Sequence, residues 1–438
     1  MSNVLSALRS LTREQRQKAA LLSGWFFITI TTLWLLKPIR QASLLAHLGA
    51  AELPYVRFGS VIAVALVVLV YSRVVDRLTR LQVARGASLV FAAVLLAIWI
   101  ALRLGGEALG GQRWFVWLVF ILVDIYSTVM VGIFWTYTND VCTPEEGDKL
   151  YGPIGIGGIV GGIAGGVLVD ALVRWIGDVD LLLVCVALML ASAAIVAMSE
   201  SVLHPRPRPI DTKQRAKAGA AFEGARLVAR SPYLLLIVGV VVCYEFAAAV
   251  TDFVVSVVFQ RAYTDQDVLA QMFGRVGWIV SGVALLSQLV IVPLLLPRKR
   301  VALLVPPLAM GLAALGLAFV PVVAMAIVLS ASDRGLNYSL QQVTKETLYI
   351  PLTDAERYKA KAFIDMFVDR AGKAVSSLAL VVVIAASGVS VEISLGVALG
   401  ALLVWLACAA LLGPAYARKA AAGRVELAPP AESAAAHA

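Results

Sequence analysis

Residues 114–138 read WFVWLVFILVDIYSTVMVGIFWTYT, and Asp124 is the one charged side chain in this stretch. A helix needs about 20 consecutive, mostly apolar residues to cross the hydrocarbon core of a bilayer. The stretch is long enough for a crossing, and a carboxyl in its middle is costly in lipid unless it faces water or a partner. It therefore predicts a membrane-spanning helix whose Asp124 faces the interior of a helix bundle.

The rest of the chain repeats this pattern. Hydrophobic residues make up 60% of the 438 residues and charged residues 15%, against roughly 25% charged in an average soluble protein. A soluble protein could not bury so much apolar surface, so we predict an all-α polytopic membrane protein. Twelve apolar runs are predicted to be transmembrane helices: 19–37, 55–74, 85–104, 114–138, 151–173, 179–198, 232–258, 269–296, 302–320, 322–344, 360–386 and 391–413. Pro321 cannot donate a hydrogen bond within a continuing helix and predicts a turn between the ninth and tenth runs.

Several classes of protein are excluded by the composition. The four cysteines are scattered singly and only three histidines occur, which argues against a disulfide scaffold and against a metal site. No set of nucleophile, base and orienting residue is visible. We therefore predict neither an enzyme nor a bound cofactor.

The basic residues predict the orientation in the membrane. Segments on the side of the N-terminus carry 25 of the 37 Lys and Arg residues, and such an excess marks the cytoplasmic side. Both termini are therefore predicted to be cytoplasmic. Because the basic residues are spread over every inner loop, they favour contact with anionic lipid, and we predict no nucleic-acid partner.

The longest loop divides the chain into two similar halves. We predict an N-terminal six-helix bundle (1–205), a cytoplasmic linker (206–231), a C-terminal six-helix bundle (232–419) and a disordered tail (420–438). The segment TPEEGDK at 143–149 resembles TDAERYK at 353–359, an offset of 210 residues (353 minus 143). Two six-helix halves around a central site are the plan of the major facilitator superfamily.

Ionisable side chains within the predicted spans concentrate on helices one, four, seven and ten, which line the central cavity in folds of that superfamily. Each costs about 2.5–3.5 kcal/mol in lipid by insertion scales, so such groups face a wet cavity or a partner. The spacing of Asp124, Thr128 and Trp135 places them on one helical face, and Arg334, Tyr338, Gln341 and Lys345 line up likewise. We predict a small-molecule site formed by Lys37, Arg40, Asp124, Trp135, Glu245, Asp252, Arg334, Tyr338 and Lys345.

An alternative interpretation is that the buried charges pair with one another and lock helices or gates. It is favoured on helix eleven, where Lys361, Asp365, Asp369 and Lys373 recur every four residues, a spacing that predicts a ladder of ion pairs. A structural or gating role is predicted for Lys361, Asp365, Asp369, Arg370 and Lys373.

Two glycine tracks run along the predicted fifth helix, Gly157-Gly161-Gly165 and Gly158-Gly162-Gly166. Small residues every four positions let helices approach closely in lipid. A phosphate-binding loop would need a following lysine and a preceding strand, and neither is present. The tracks therefore predict close helix packing.

Two groups of residues resemble the signature of a known family. In the first half these are FWTYTND at 134–140 and KLYGPIG at 149–155. In the second half they are YSL (338–340), KE (345–346), YIPL (349–352), KAKAFID (359–365) and RAGK (370–373). These stretches are similar to those of the ATP:ADP antiporter family found in plastids and intracellular bacteria.

The resemblance implies exchange or import of a nucleotide through the inner (plasma) membrane of a bacterium. On this resemblance the family's lysine of helix one corresponds to Arg40, its glutamates of helices four and seven to Asp124 and Asp252, and its lysine after helix ten to Lys345. The oligomeric state stays open, and a monomer is sufficient for such a site.

The leading hypothesis is a secondary transporter that moves nucleotides by alternating access. Arg40, Arg334 and Lys345 would attract phosphate oxygens, and Tyr338 or Trp135 would stack on a base. One alternative is a proton-coupled transporter of another organic anion or solute, which Glu245 favours. A second is a membrane scaffold or sensor, in which changes in the loops would matter more than changes in the spans.

Overall fold

The computed structural model describes residues 12–75, 78–203, 218–353 and 356–427, and these are helical apart from short connections. The helices are α1 (Arg13–His47), α2 (Leu53–Val75), α3 (Arg80–Gly110), α4 (Arg113–Val141), α5 and α6 (together Pro144–Leu203), a linker helix (Ala218–Arg230), α7 (Pro232–Ala262), α8 (266–295), α9 (Lys299–Phe319), α10 (323–348), α11 (356–387) and α12 (Val391–Leu427). Residues 206–217 of the predicted linker and 428–438 of the predicted tail lie outside the described residues.

Two tight breaks separate consecutive helices at places where the predicted apolar runs leave a gap. Helices α5 (144–176) and α6 (178–203) meet at Gly177, whose φ of 76° favours glycine. Helix α9 ends at Phe319 and α10 begins at Val323, and the Val322 N–H donates to the Val320 carbonyl at 2.8 Å in the turn between them. The break predicted at Pro321 is confirmed.

The internal repeat has a structural counterpart at the starts of α5 and α11. The Thr143 N–H donates to Glu146 Oε2 at 3.0 Å, and the Glu146 N–H donates to Thr143 Oγ1 at 3.3 Å. Thr353 and Glu356 make the same reciprocal pair at 3.2 and 3.4 Å. Each pair is a capping box, which satisfies N–H groups left free at a helix start. Corresponding helices of the two halves therefore begin in the same way.

Nine helices in the described ranges are long and apolar enough to cross a membrane, so the prediction of an all-helical, multi-pass membrane protein is confirmed. One of the nine, 149–199, contains the break at Gly177. Helices α10 and α11 are not among them. They contain four π-helical turns, a feature frequent at functional sites: Ala331–Gly335, Asn337–Gln341, Glu356–Ala360 and Ile364–Val368.

The glycine tracks of α5 lie at close helix contacts, as predicted. A Cβ atom at Gly161 would lie 2.5 Å from the Phe27 carbonyl oxygen of α1, and one at Gly166 would lie 2.5 Å from the Trp278 nitrogen of α8. A side chain does not fit at either position, so the backbones themselves are in contact. Helix α5 thus packs on α1 of its own half and on α8 of the other half.

The start of α1 and the end of α12 share one end of the bundle, called here the terminal end; the opposite end is the far end. Polar contacts join the two halves toward the far end. Gln41 Nε2 of α1 donates to Ser256 Oγ of α7 at 2.9 Å, and the Ala50 N–H donates to Gln260 Oε1 at 2.8 Å. The halves therefore meet closely on this side.

Helix α12 continues to Leu427, so residues 420–427 of the predicted disordered tail are helical. Alanine, the strongest helix former, occupies positions 420–422. The linker helix packs on the start of α11, where a Cβ at Gly224 would lie 2.5 Å from the Lys359 carbonyl oxygen. An ion pair between Glu223 and Lys359 adds to this contact.

Candidate functional site

A cavity of about 420 Å³, called here the central cavity, lies between the two halves. Its walls come from α1, α2 and α4 of the first half and from α7, α10 and α11 of the second. The structure brings together on these walls ten of the fourteen predicted site residues: Arg40, Asp124, Glu245, Asp252, Arg334, Tyr338, Asp365, Asp369, Arg370 and Lys373.

In the first half, Arg40 of α1 and Asp124 of α4 form an ion pair. Ser60 Oγ of α2 donates to the second carboxylate oxygen of Asp124 at 2.5 Å. The Arg40 guanidinium also donates to the Phe120 carbonyl at 3.2 Å and lies 4.2 Å from the centre of the Phe120 ring. One carboxylate therefore holds α1, α2 and α4 together at the cavity wall.

Asp252 of α7 joins the two halves. Arg57 of α2 pairs with one of its carboxylate oxygens, and Arg334 of α10 pairs with the other. The Asp252 side chain is only 8% exposed, whereas the two arginines keep about a quarter of their surfaces open, 23% and 27%. A single buried carboxylate thus holds two guanidinium groups that face the cavity.

Helices α10 and α11 are linked by two ion pairs near the terminal end. Lys345 Nζ lies 3.1 Å from Asp365 Oδ1, and Lys361 Nζ lies 2.5 Å from Glu346 Oε2. Of the predicted ladder along α11, the structure forms the pair between Asp369 and Lys373, at 2.7 Å. Lys361 and Asp365 pair with α10 instead of with each other, so the ladder prediction is wrong at its first step.

Four predicted site residues do not line the central cavity. Lys37 lines an adjoining cavity of about 160 Å³. Lys345 lines a separate pocket of about 30 Å³ beside Gln341, although its ammonium reaches Asp365 on the central wall. The π-helical turn at Asn337–Gln341 explains this displacement, because it rotates the residues after Tyr338 away from the face predicted by regular helical spacing.

Trp135 and Lys361 also lie outside the lining of the central cavity. The Trp135 ring packs 5.4 Å from the ring of Phe26 and 5.8 Å from that of Tyr151, between ring centres. The aromatic neighbours hold it in a cluster near the terminal end of the first half. Lys361 lies 5.6 Å from the ring of Tyr349 and pairs with Glu346.

Arg57 and Asp333 also line the central cavity, although neither is among the residues predicted from the sequence. A signal existed for each: Arg57 lies in the predicted span 55–74, and Asp333 precedes Arg334 in the span 322–344. Arg57 lies on α2, which is not one of the helices one, four, seven and ten expected to line the cavity. The hydroxyls of Ser60, Ser127 and Thr128 complete the polar wall.

Asp170 of α5 is the centre of a second contact between the halves. Its carboxylate accepts from Arg275 Nη2 and Nε of α8, at 3.0 and 3.2 Å, and from Trp278 Nε1 at 3.0 Å. Its backbone carbonyl accepts from Gln271 Nε2 at 2.9 Å. Together with the contacts of Gln41 and Gln260, these bonds hold the far end closed.

The chain matches the family described as TLC ATP/ADP transporter over residues 92–325 and 294–416. It is 29% identical over 372 residues to ADP,ATP carrier protein 1 of Chlamydia trachomatis serovar D, covering 72% of this chain and 68% of that one. It is 27% identical over 307 residues to the chloroplastic ADP,ATP carrier protein 1 of Arabidopsis thaliana, covering 60% of this chain and 48% of the plant protein.

Solved transporters share the fold. The nucleoside transporter NupG superposes with a TM-score of 0.61 at 14% identity, covering 94% of this chain and 99% of that one. A bacterial homolog of the lysosomal transporter Spinster, in an inward-facing and unoccupied conformation, gives 0.56 at 14% identity, covering 95% and 98%. These likenesses confirm the major facilitator-like fold, and the family match confirms the resemblance carried by residues 134–155 and 338–373. The chain belongs to the TLC ATP/ADP transporter family.

Proposed function

We propose that this protein exchanges nucleotides of the ATP/ADP type across a membrane by alternating access. The observation that carries the proposal is the convergence of Arg40, Arg57 and Arg334 on two carboxylates between the halves. Guanidinium groups match phosphate oxygens in geometry and charge. A nucleotide that enters the central cavity would take the place of those carboxylates as the partner of the arginines.

We also propose that the chain crosses the inner membrane of a bacterium twelve times, with both termini in the cytoplasm. The helix 149–199 bends at Gly177 and would supply two crossings, which makes ten from the nine candidates. Helices α10 and α11 would supply two more, since several of their charges face the cavity instead of lipid. In this orientation the far end is outside, and the structure is closed to the outside.

The ion pairs suggest why exchange would be favoured over net movement. Arg57 of one half pairs with Asp252 of the other, so reorientation of the empty carrier must part them. Breaking a buried pair by removing one partner costs about 3–5 kcal/mol. Substrate phosphates offer the arginines another acceptor, and the loaded carrier then reorients more easily than the empty one.

Counter-exchange in proteoliposomes tests this proposal. Labelled ATP is expected to enter vesicles preloaded with ADP at least about tenfold faster than empty vesicles, since about 1.4 kcal/mol of barrier is a factor of ten. Arg334→Gln is expected to remove the uptake. Arg103→Gln is the control, because it removes the same charge from an exposed pair with Asp180. Absence of uptake, or equal uptake into empty vesicles, would contradict nucleotide exchange.

A second candidate function, proton-coupled transport of another organic anion, is favoured by Glu245. Its side chain on the cavity wall is 12% exposed, and Lys373 Nζ lies 3.9 Å away, a long contact for an ion pair. Ionisable groups inside membrane helices mark proton and substrate pathways. If this function holds, a pH gradient alone drives uptake into empty vesicles, and Glu245→Gln removes that uptake.

A further inference from the structure

An apolar groove, called here the lateral groove, lies along α4 on the lipid-facing side of the first half. Its volume is about 870 Å³. Seven of its nine lining residues are apolar, and the other two, Gln112 and Arg113, lie together at the far end. Trp114 and Leu118 on its wall are 60% and 45% exposed. The groove is therefore open toward lipid and polar only where it begins.

The lateral groove is as deep as one leaflet of the bilayer. It follows α4 from Arg113 at the far end to Ile125, and these twelve helical residues (125 minus 113) rise about 18 Å. Half of a hydrocarbon core about 30 Å thick is about 15 Å. Val94, which lines the groove from α3, lies near the middle of its own helix and so at the same depth as Ile125. The groove thus runs from the membrane surface to the bilayer centre, which is the path of one acyl chain.

Trp114 and Arg113 mark the level at which the membrane surface crosses α4. Tryptophan is enriched at the boundary between lipid and water, and arginine side chains near helix ends extend to the headgroup region. The Arg113 side chain is 65% exposed. The polar end of the groove therefore lies at the level of the lipid headgroups.

Glu52, in the connection between α1 and α2, lies beside Arg113 at this polar end. Its Oε1 accepts from Arg113 Nε at 2.6 Å and from Trp117 Nε1 at 2.9 Å, and Arg113 Nη2 lies 2.6 Å from the same oxygen. In the described parts of the chain, Oε2 of Glu52 and Nη1 of Arg113 have no hydrogen-bond partner. An acceptor and a donor of opposite charge are thus available side by side at the start of the groove.

A zwitterionic headgroup with a primary ammonium complements both of these groups. Its phosphate oxygens accept charge-assisted hydrogen bonds from Arg113, and its ammonium N–H groups donate to Glu52. A quaternary ammonium has no N–H to donate, and an anionic headgroup without an ammonium leaves the Glu52 carboxylate facing like charge. The apolar wall below is large enough for one acyl chain, since sites of about 300–1,000 Å³ hold a drug-sized ligand.

We propose that the lateral groove binds one zwitterionic aminophospholipid, a glycerophospholipid with a primary ammonium headgroup, from the leaflet at the far end. The phosphate binds Arg113, the ammonium binds Glu52, and one acyl chain lies along α4 as far as Ile125. The second acyl chain stays in the bilayer. The site is separate from the central cavity, so it does not depend on which solute the protein transports.

Thermal unfolding of the purified full-length chain in detergent tests this site. The probes are phosphatidylethanolamine, phosphatidylcholine and phosphatidylglycerol with the same acyl chains. A ligand that binds the native state raises the unfolding temperature, and the lipid fraction in the micelle at half of the maximal rise reports affinity. Phosphatidylethanolamine is expected to bind about tenfold more tightly than either of the others, because both lack the charge-assisted bond to Glu52.

Three variants locate the binding. Arg113→Gln is expected to weaken phosphatidylethanolamine about tenfold, since the phosphate loses its charged donor. Glu52→Gln is expected to reduce the preference over phosphatidylcholine to about threefold or less, since a charge-assisted bond becomes a neutral one. Leu118→Trp is expected to abolish saturable binding, because the indole occupies the groove. Arg103→Gln is the control: its exposed pair with Asp180 also lies at the far end but outside the groove, and the affinity is expected to stay unchanged.

The contradicting results are equally definite. Equal stabilisation of the wild type by the three lipids, or tightest binding of phosphatidylglycerol, would overturn the proposal. Unchanged binding of phosphatidylethanolamine in both Arg113→Gln and Leu118→Trp would also overturn it, since the lipid would then bind elsewhere. Should Arg113→Gln or Glu52→Gln fail to fold, Leu118→Trp decides, because the half-exposed Leu118 side chain leaves room for a larger one.

Discussion

Asp252→Asn is expected to abolish nucleotide exchange and to destabilise the folded protein by about 3–5 kcal/mol, the cost of leaving buried charges unpaired. The substitution leaves Arg57 and Arg334 side by side without the carboxylate that neutralises both. It also removes the ion pairs that connect α2, α7 and α10 across the two halves. Thermal unfolding of the purified protein and counter-exchange in proteoliposomes measure the two effects.

A double variant distinguishes pairing from a general loss of structure. Asp252→Asn combined with Arg334→Gln removes one of the two stranded cations and is expected to be more stable than Asp252→Asn alone, because neighbouring sites are not additive. Nucleotide exchange is expected to be lost in both the single and the double variant. Asp180→Asn is the matched control, since its pair with the half-exposed Arg103 contributes about 0–1 kcal/mol. A fully stable Asp252→Asn would contradict the central role of this carboxylate.

Asp170→Ala is expected to open the far end of the bundle. The wild-type carboxylate accepts two bonds from Arg275 and one from Trp278, and all three cross between the halves. Their loss destabilises the closed state without affecting the side chains of the central cavity. Since about 1.4 kcal/mol shifts an equilibrium tenfold, we expect a population shift of roughly that size toward a far-end-open state.

Distances between spin labels at two exposed far-end positions report this opening. Trp175 lies in the last turn of α5 and is 86% exposed, and Val389 lies between α11 and α12 in the other half. Cysteines at these positions, with the four native cysteines replaced, are expected to give a longer and broader distance distribution in Asp170→Ala than in the parent. An unchanged distribution would show that Asp170 does not hold the far end closed.

The fold was accessible from sequence because its signals are local. Each apolar run lies within a helix of the structure or extends beyond its end by one residue, and the similar segments at 143–149 and 353–359 prove to be matching capping boxes. Such signals depend on neighbouring residues and on the solvent that each helix faces, so they need no knowledge of tertiary contacts. The position of Arg40 and Asp124 inside the bundle followed from the same reasoning, since charged groups within a bilayer require water or a partner.

The rest of the site depended on features that helical periodicity does not contain. The π-helical turns Asn337–Gln341 and Ile364–Val368 change the face on which later residues lie. They separate Lys345 from the face of Arg334, and Lys361 pairs with the neighbouring helix instead of with Asp365. The resulting ion pairs of Lys345 and Lys361 join α10 to α11.

The positions of Trp135 and Arg57 could not be predicted either, because they depend on contacts between helices that are distant in sequence. The spacing of Trp135 from Asp124 is that of one helical stripe, yet its ring finds aromatic partners from α1 and α5 near the terminal end. Arg57 lies on a helix that the resemblance to major facilitator folds did not assign to the cavity. Its importance follows only from the position of Asp252, 195 residues away in sequence (252 minus 57).

Protection of a cavity residue by nucleotide tests the central claim most directly. Thr128 of α4 lines the central cavity, and Asn139 of the same helix is exposed at the terminal end. In a background without native cysteines, ATP is expected to slow the reaction of Thr128→Cys with a water-soluble maleimide about tenfold or more. The reason is that, at a near-saturating ATP concentration, only the small fraction of molecules with an empty cavity can react. It is expected to leave the reaction of Asn139→Cys unchanged. Equal rates at Thr128→Cys with and without ATP would contradict a nucleotide-binding cavity between the halves.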